Sequence, residues 1–235
     1  FSDPLVMTLT LHKAMTKRVI RDAGVPTADF LVVAIAREAE TVSFGPPYFV
    51  KPVAEGTGKG VSPDSIARDR SALAKACGHI IEAYHQPALV EPYLSGPEFT
   101  VGILGTGRAA RVLGTVQVCL LPEAEPGVYS YTNKEHCEER VVYRLVRPER
   151  NNPVDQVETV ALQAWRVLGC RDAGRVDIRC DETGRPMFLE VNPLAGIHPE
   201  HSDLPIICNH LKIPYVTLIE RIVGSATKRI GKNEI

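Results

Sequence analysis

Residues 174–192 read GRVDIRCDETGRPMFLEVN, and this stretch decides the fold. Two apolar runs, residues 175–180 and 186–191, flank a polar turn at residues 181–184, which predicts a β-hairpin. Because strand side chains alternate between faces and a four-residue turn pairs odd with even positions, four polar side chains are expected on one face. They are Arg175, Asp177, Glu190 and Asn192.

The chemistry of this face depends on whether it is covered. The alternating apolar residues Val176, Ile178, Leu189 and Val191 are expected to face a core. If helices also cover the polar face, its charges need a cation or an anionic ligand to offset their burial. Carboxylate and amide oxygens suit Mg²⁺, and an arginine beside them can hold a phosphate or a developing oxyanion. The alternative is a solvated hairpin face with ordinary surface charges.

A glycine-rich segment, KPVAEGTGKG at residues 51–60, follows a predicted strand at residues 48–51. Its closely spaced glycines permit backbone amides to approach a phosphate. The spacing fits neither a Walker A loop nor the G-x-G-x-x-G pattern. Lys51 ends an apolar strand, so its ammonium group needs an anionic partner. A flexible surface turn is the alternative interpretation.

A third segment, VEPYLSGPEFT at residues 90–100, runs from a strand into a turn and carries the carboxylates Glu91 and Glu98. Such a crossing can offer backbone groups to an adenine edge and a carboxylate to ribose hydroxyls. An ordinary linker between two strands is the alternative.

The rest of the chain predicts helices interleaved with antiparallel strands, an α+β order. Helices are expected at residues 8–23 and 64–84, from Asn152 and Pro153 to Gly169, from about residue 203, and at residues 214–223. Strands are expected at residues 30–35 and 88–91, with a hairpin around residues 105–107 and a loop at 122–137.

Composition excludes several classes of protein. The 235 residues carry 27 Lys and Arg against 28 Asp and Glu, a formal net charge of −1 that gives no reason to expect nucleic acid or a membrane surface as partner. Six scattered cysteines are expected to be free thiols in a reducing, cytoplasmic compartment. His198 and His201 lack further ligands for zinc and are interpreted as surface or substrate-pocket histidines.

Together and in this order, the three segments resemble the ATP-grasp superfamily, specifically its D-alanine–D-alanine ligase branch. Further similarity lies in residues 10–13, 16–17 and 23–27 and in residues 189–193 with Gly196, so that it covers about residues 1–223. The resemblance implies an α+β, ATP-grasp fold of two α+β subdomains with ATP bound between antiparallel sheets. Residues 1–93 would form the central subdomain with the glycine-rich loop, and residues 94–235 the C-terminal subdomain with the metal site.

The resemblance also implies roles for individual residues. Lys13 and Lys51 would bind the α- and β-phosphates of ATP, and Lys134 the γ-phosphate, over which a loop from Glu55 through Gly56, Thr57 and Gly58 to Gly60 would close. Glu91, Tyr93 and Leu94 would hold the adenine and Glu98 the ribose. Asp177, Glu190 and Asn192 would bind two Mg²⁺ (or Mn²⁺) ions, while Arg175 and the Gly196 amide would stabilise an oxyanion.

Four departures from the family pattern bear on the substrate. Thr57 and Gly58 stand where the family usually carries two serines, so Thr57 would take over the substrate-orienting role. Glu135 replaces a tyrosine that helps to hold the loop shut, and Pro92 replaces a lysine beside adenine. Residues 197–203 form a slightly longer segment that places His201, Ser202 and Asp203 near the site for the second substrate's carboxylate. An acid there would repel that carboxylate or recruit a cation.

The function implied is ATP-dependent ligation of a carboxylate to an amine through an acylphosphate, as in peptidoglycan biosynthesis. The expected partners are small-molecule amino acids or dipeptides, and a homodimer is one assembly left open. Two alternatives remain: an ATP-grasp ligase for another amino acid or peptide, and an ATP-binding module without turnover. The second arises because the family builds part of its substrate site from an N-terminal domain, which is expected to be missing before Phe1.

Overall fold

Two antiparallel sheets form the framework of the molecule. The computed structural model describes residues 1–149 and 153–230. The smaller sheet consists of β1 (Leu31–Val33), β2 (Tyr48–Pro52), β3 (Ile66–Ala67) and β4 (Ala88–Pro92), in the spatial order β1-β4-β2-β3. The larger sheet consists of β5 (Glu98–Leu104), β6 (Arg111–Leu120), β7 (Val141–Val146), β8 (Ala173–Cys180) and β9 (Pro186–Asn192), in the order β7-β6-β5-β8-β9.

Helices pack around these sheets. They are α1 (Pro4–Leu11), α2 (Lys13–Asp22), α3 (Arg70–Tyr84), α4 (Tyr131–Glu135), α5 (Cys137–Arg140), α6 (Val154–Val167), α7 (Asp203–His210) and α8 (Tyr215–Ile230). The predicted α+β class with antiparallel sheets is confirmed. In the described part of the chain, no helix is both long and apolar enough to cross a bilayer.

The larger sheet is covered on both faces. Helix α6 buries one side against it, and Trp165 is fully buried there, with its indole N–H donating to the Gly105 carbonyl at 3.1 Å. The other face carries Gly102 and Gly114, whose lack of side chains leaves room for Leu204 and Ile207 of α7. Arg175 and Asp177 on that face are therefore buried, and the solvated-hairpin alternative is wrong.

Residues near the N-terminus contribute to the core of the larger sheet. Val6, Ile20 and Val25 belong to the same buried cluster as Phe99 and Ile178. The smaller sheet has its own core, formed with α3 around Tyr48, Leu73 and Ile80. The division at residues 93 and 94 falls between β4 and β5 and stays a prediction.

The β8–β9 hairpin differs from its prediction in one instructive way. Cys180 pairs with Pro186, so the connection has one residue more than the expected turn. A bulge follows: Asp177 pairs with Glu190 and Ile178 with Phe188, which leaves Leu189 without an opposite residue. Phe188 therefore enters the core and Leu189 faces the cleft between the sheets. The expectation that Leu189 faces the core is wrong, whereas Glu190 and Asn192 regain the predicted face.

Several helix boundaries also differ. The single helix predicted at residues 8–23 is broken at His12, whose extended backbone ends α1 and begins α2. Helix α3 begins only after Asp69, whose carboxylate accepts the Ala72 N–H at 2.8 Å and caps the helix. The predicted loop at residues 122–137 contains α4, which is capped by Ser130.

The remaining boundaries follow the prediction more closely. The expected cap Asn152 lies outside the described residues, and α6 begins after Pro153 with its predicted apolar face buried. Helix α8 continues beyond residue 223 to Ile230. The hairpin around residues 105–107 is confirmed as the β5–β6 connection. All six cysteines are free thiols, as predicted.

Two glycine substitutions test this packing in opposite directions. A Cβ at Gly174 would meet the Asn192 main-chain oxygen and lie 2.6 Å from the buried Trp165 ring, so Gly174→Ala should lower the free energy of unfolding by about 1–3 kcal/mol. Gly78 lies within α3 with open space around it, so Gly78→Ala should raise that free energy by up to about 1 kcal/mol. Denaturant unfolding of both variants measures this, and a neutral Gly174→Ala would contradict the packing described.

Candidate functional site

A cleft lies between the two sheets. It brings together most of the residues predicted for a nucleotide site. Those that line it are Lys13, Lys51, Glu55, Gly58, Glu91, Tyr93, Leu94, Glu98, Lys134, Asp177 and Glu190. The three predicted segments thus converge on one place, although they are far apart in sequence.

One buried carboxylate joins two lysines at the floor of this cleft. Glu91 on β4 contacts the Lys51 ammonium at 2.6 Å through one oxygen and the Lys17 ammonium at 2.6 Å through the other. Lys17 also donates to the Thr27 hydroxyl at 2.6 Å. Since Lys17 is fully buried and Lys51 is only 6% exposed, the anionic partner predicted for Lys51 is found and is shared.

Burial and ion pairing have opposite effects on the charges of Lys17, Lys51 and Glu91, which together form a buried triad. Burial lowers the pKa of Lys17 below its usual value, although Glu91 opposes that change. Burial also opposes the charge of Lys51, but the attraction of Glu91 outweighs it and raises its pKa. Burial would raise the pKa of Glu91, yet the two lysines lower it to about 2. Lys51 and Glu91 are therefore charged at neutral pH, and the Glu91 carboxylate is already engaged by two lysines.

A second ion pair lies at the cleft's other wall. Glu98 and Arg179 are opposite each other on β5 and β8, and the guanidinium contacts the Glu98 carboxylate at 3.2 Å. The same guanidinium lies 5.1 Å from the centre of the Tyr93 ring and donates to the Tyr93 hydroxyl at 3.1 Å. Arg179 thereby holds two residues that the resemblance assigns to the nucleotide.

The polar face of the β8–β9 hairpin supplies the acidic end of the cleft. Asp177 and Glu190 are directly opposite each other, and Arg175 is opposite Asn192. The Arg175 guanidinium contacts one Asp177 oxygen at 2.6 Å, while the Thr100 hydroxyl donates to the other at 3.1 Å. The predicted clustering of these four side chains on one face is confirmed.

The pKa values of the two opposed carboxylates are shifted in opposite directions. Burial raises the pKa of Asp177 to about 7, and the negative charge of Glu190 adds to this although Arg175 opposes it. Burial also acts on Glu190, but the positive charges of Lys13, Lys134 and Arg175 lower its pKa to about 2. Asp177 is thus an acid whose charge needs a further cation nearby.

This donor set suits a hard divalent cation. Two opposed carboxylates and a neighbouring amide offer only oxygen ligands, which fits Mg²⁺ completing its shell with phosphate oxygens and water. Among the described residues, no three His, Cys, Asp or Glu side chains form a metal-binding group.

The glycine-rich segment lies against both sides of the cleft. The Lys13 ammonium donates to the Glu55 carbonyl and lies 3.7 Å from a Glu190 oxygen. Gly58 has a φ of +78° and lies close to the Tyr131 amide at the start of α4. Gly56 and Thr57 line a neighbouring hollow together with Lys13, Glu190 and Asn192.

The predicted substrate residues are less tightly grouped. The exposed His201 stacks on His198 at 4.7 Å and contacts Glu138 at 3.2 Å, away from the main cleft. The Ser202 hydroxyl lies near Gly196 and accepts the His198 N–H at 2.9 Å. Asp203, by contrast, contacts the Arg175 side chain at 3.0 Å.

Sequence reasoning missed several residues of the site. Arg179 could have been found, because it is two residues after Asp177 and so shares its face of β8. Lys17 was singled out only by resemblance, since nothing in its helical position indicates an acidic partner on β4. Tyr129 also lines the cleft, and the centre of its ring lies 4.6 Å from the Lys134 ammonium. It belongs to a segment that was predicted to be a loop.

Known proteins are similar to this chain over most of its length. Residues 19–224 match the family model described as D-ala D-ala ligase C-terminus. A D-alanine–D-alanine ligase of Marinomonas sp. (strain MWYL1) is 30% identical over 234 residues, covering 99% of this chain and 70% of the relative. One from Bordetella avium (strain 197N) is 31% identical over 224 residues, covering 94% of this chain and 68% of the relative.

Solved structures share the fold. A D-alanine–D-alanine ligase from Bacillus anthracis complexed with ATP superposes with a TM-score of 0.76 at 22% identity, covering 100% of this chain and 71% of the other. The VanG D-Ala:D-Ser ligase from Enterococcus faecalis gives a TM-score of 0.72 at 21% identity, covering 95% of this chain and 63% of the other.

The buried triad predicts a particular pH dependence. The pKa of Glu91 in the folded protein, about 2, lies below its ordinary value of 4.5. Its ion pairs therefore stabilise the fold fully above pH 4.5, and this contribution is lost as the pH falls toward 2. Glu91→Gln lacks it, so the difference in unfolding free energy between wild type and variant should narrow by up to about 3 kcal/mol over that window.

The measurement is denaturant unfolding between pH 2.5 and pH 6. Glu82→Gln, which removes a carboxylate from the exposed surface of α3, is the matched control and should track the wild type. A wild-type–to–Glu91→Gln difference that stays constant across this range would contradict the assignment.

Proposed function

Because the chain belongs to the D-alanine–D-alanine ligase family, we propose that it is an ATP-dependent ligase that joins a carboxylate to an amine. The observation that carries this proposal is the convergence of three lysines and an opposed pair of carboxylates in one cleft. In the reaction, a substrate carboxylate takes the terminal phosphoryl group of ATP, and an amine then displaces the phosphate to leave an amide and a proton. This chemistry needs positioning and charge neutralisation more than a protein nucleophile.

Lysines from three different elements supply the positive charge for the phosphates. Lys13 begins α2, Lys51 lies on β2 and Lys134 on α4, and all three face the cleft. Glu91 holds Lys51 in place and Glu190 lies beside Lys13, so the ammonium groups are oriented before a nucleotide arrives. We assign the α- and β-phosphates to Lys13 and Lys51, and the γ-phosphate to Lys134.

The wall formed by Tyr93, Leu94 and Glu98 is assigned to the nucleoside. Phe49 and Tyr93 lie with ring centres 6.3 Å apart and provide an apolar side for a base. Glu98 accepts hydrogen bonds, as a partner for ribose hydroxyls must, and Arg179 fixes its position. The Glu91 main chain and Leu94 complete this part of the site.

Asp177, Glu190 and Asn192 would hold Mg²⁺, which when bound would neutralise phosphate charge and orient the terminal phosphoryl group. The raised pKa of Asp177 supports this assignment, because a divalent cation would favour its charged form. Arg175 and the Gly196 amide are assigned to the oxyanion that forms when the amine attacks. Gly56, Gly58 and Thr57 are assigned to the loop over the phosphates.

The substrates proposed are small molecules of the amino acid or dipeptide class. D-Alanine is named for the relatives, and the departures at Thr57, Glu135 and Asp203 leave another amino acid or peptide as the competing choice. The activity is tested by mixing the protein with ATP, Mg²⁺ and a panel of D- and L-amino acids and measuring phosphate release together with product mass. Binding of ATP without phosphate release for any member of the panel would favour an ATP-binding module instead.

Removing single charges from the site should separate nucleotide binding from the metal requirement. Lys51→Met should weaken ATP binding at least tenfold, since a phosphate would lose an oriented cation whose contribution is about 1.4 kcal/mol or more. Lys75→Met, on the exposed side of α3, removes the same charge elsewhere and should bind ATP like the wild type. Calorimetric titration with ATP and Mg²⁺ measures both, and equal affinity in the two variants would refute the phosphate assignment.

Glu190→Gln keeps the size of the side chain but removes one of the two opposed carboxylates. Turnover should fall at least a hundredfold, and the Mg²⁺ concentration needed for half-maximal ATP binding should rise about tenfold or more. Titration of Mg²⁺ at fixed ATP checks this expectation. An unchanged Mg²⁺ requirement would remove Glu190 from the metal site.

A further inference from the structure

Two lysines of the cleft differ in what lies next to their ammonium groups. The Glu91 carboxylate contacts the Lys51 ammonium at 2.6 Å. Lys134 forms no salt bridge with any residue in the described part of the chain. Its ammonium instead lies over the ring of Tyr129, 4.6 Å from the ring centre. A neutral aromatic ring therefore occupies the place that a carboxylate takes beside Lys51.

This difference affects how much positive charge each lysine offers to a ligand. An aromatic ring attracts a cation through its quadrupole and brings no negative charge of its own. The charge of Lys51 is offset in part by Glu91, whereas that of Lys134 is not offset by Tyr129. Lys134 thus keeps its charge for an anion in the cleft, and its position depends on where the Tyr129 ring lies.

The backbone around Lys134 is fixed by other contacts. The buried Asn133 side chain donates to the Glu125 carbonyl at 3.0 Å and accepts the Glu125 N–H at 2.9 Å. The Ser130 hydroxyl accepts the Asn133 N–H at 3.1 Å and caps α4. These bonds fix the start of the Lys134 side chain, but its four-carbon stem still has free torsions. The Tyr129 ring is the group that selects among the positions left to the ammonium.

Tyr129 is itself anchored from outside the cleft. Its hydroxyl oxygen lies 2.5 Å from that of Tyr143, and either hydroxyl can donate. Tyr129 lines the cleft and Tyr143 does not. Tyr143 lies on β7, the edge strand of the larger sheet, where its backbone pairs with that of Val118 on β6. Burial raises the pKa of both tyrosines, so the two hydroxyls remain protonated and keep this hydrogen bond.

We propose that Tyr143 is a positioning residue for the phosphate end of the nucleotide site. Its hydroxyl fixes the Tyr129 ring, and this ring directs the Lys134 ammonium toward the terminal phosphate. The chain of contacts from Tyr143 through Tyr129 to Lys134 carries the inference. It rests on the proposed ligase function, in which Lys134 is assigned to the γ-phosphate, and it adds a residue that touches no ligand.

The ratio of the affinities for ATP and ADP separates positioning from a general loss of structure. Tyr143→Phe removes the anchor, so affinity for a non-hydrolysable ATP analogue should fall about fivefold, as for one lost hydrogen bond. ADP has no γ-phosphate, so its affinity should change by less than about twofold. Lys134→Met removes the cation itself and should lower the ratio about tenfold or more. A merely structural role for Tyr143 would weaken both nucleotides alike.

Two further variants complete the set. Tyr129→Phe keeps the ring but loses the hydroxyl, so it should lower the ratio as Tyr143→Phe does. The double variant should be no weaker than either single variant, because both remove the same hydrogen bond. Tyr215→Phe is the matched control: its hydroxyl donates to the Ile197 carbonyl at 2.9 Å, and Tyr215 does not line the cleft. It should keep the wild-type ratio.

Calorimetric titration with Mg²⁺ and each nucleotide measures these affinities. If Lys134→Met lowers the ratio and Tyr143→Phe keeps the wild-type value, the proposal is overturned. Effects of Tyr143→Phe and Tyr129→Phe that add in the double variant would also overturn it, since they would show two independent roles. If Lys134→Met itself leaves the ratio unchanged, the γ-phosphate assignment of the proposed function fails, and a second measurement decides the role of Tyr143.

That measurement is NMR of protein labelled with ¹³C at the lysine ε carbons, without nucleotide. The Tyr129 ring current should shift the Lys134 ε-proton signal upfield, and the signal is identified by its absence in Lys134→Met. It should move back toward the other lysine signals in Tyr143→Phe and stay in place in Tyr215→Phe. An unmoved signal in Tyr143→Phe would overturn the positioning role independently of nucleotide binding.

Discussion

The contact on which the rest of the site depends is the shared carboxylate of Glu91. It binds one lysine from the smaller sheet and another from α2, a helix whose apolar residue Ile20 lies in the core of the larger sheet. Lys17 also approaches the Phe188 carbonyl of β9 at 3.4 Å. A buried carboxylate is costly unless it is paired, so the two layers must stay in register for Glu91 to remain charged. The same contact therefore fixes the geometry of the cleft between the two layers.

The opposed carboxylates show how one hairpin can create two unlike acids. Burial pushes both Asp177 and Glu190 toward their neutral forms, but Lys13, Lys134 and Arg175 lower the pKa of Glu190, whereas Glu190 and Asp203 add to the rise in the pKa of Asp177. The pKa of Asp177 is therefore raised toward neutral pH, and that of Glu190 is lowered to about 2. The position of each group among its neighbours, more than its residue type, decides which of the two needs an added cation.

Strand periodicity accounts for most of the site residues that could be predicted from the sequence. Where it fails, the failure also has a physical cause. The shared face of Arg175 and Asp177 followed from alternation alone, and the same rule reaches Arg179. Alternation failed at Leu189, because a longer connection and a bulge change the phase in ways that composition does not reveal. Contacts such as Lys17 with Glu91 and Arg175 with Asp203 join distant segments, so only the folded chain can bring them together.

The bulge at Leu189 has a consequence for how this sequence can vary. Without it, the inward positions Pro186 and Phe188 would be followed by Glu190, and the carboxylate would point into the apolar core. An insertion or deletion of one residue between 186 and 189 would exchange the two faces of β9 on one side of the change unless a second such change restored the phase. The length of this hairpin is therefore under tighter constraint than many of its side chains. Substitutions are expected to accumulate there more readily than insertions or deletions.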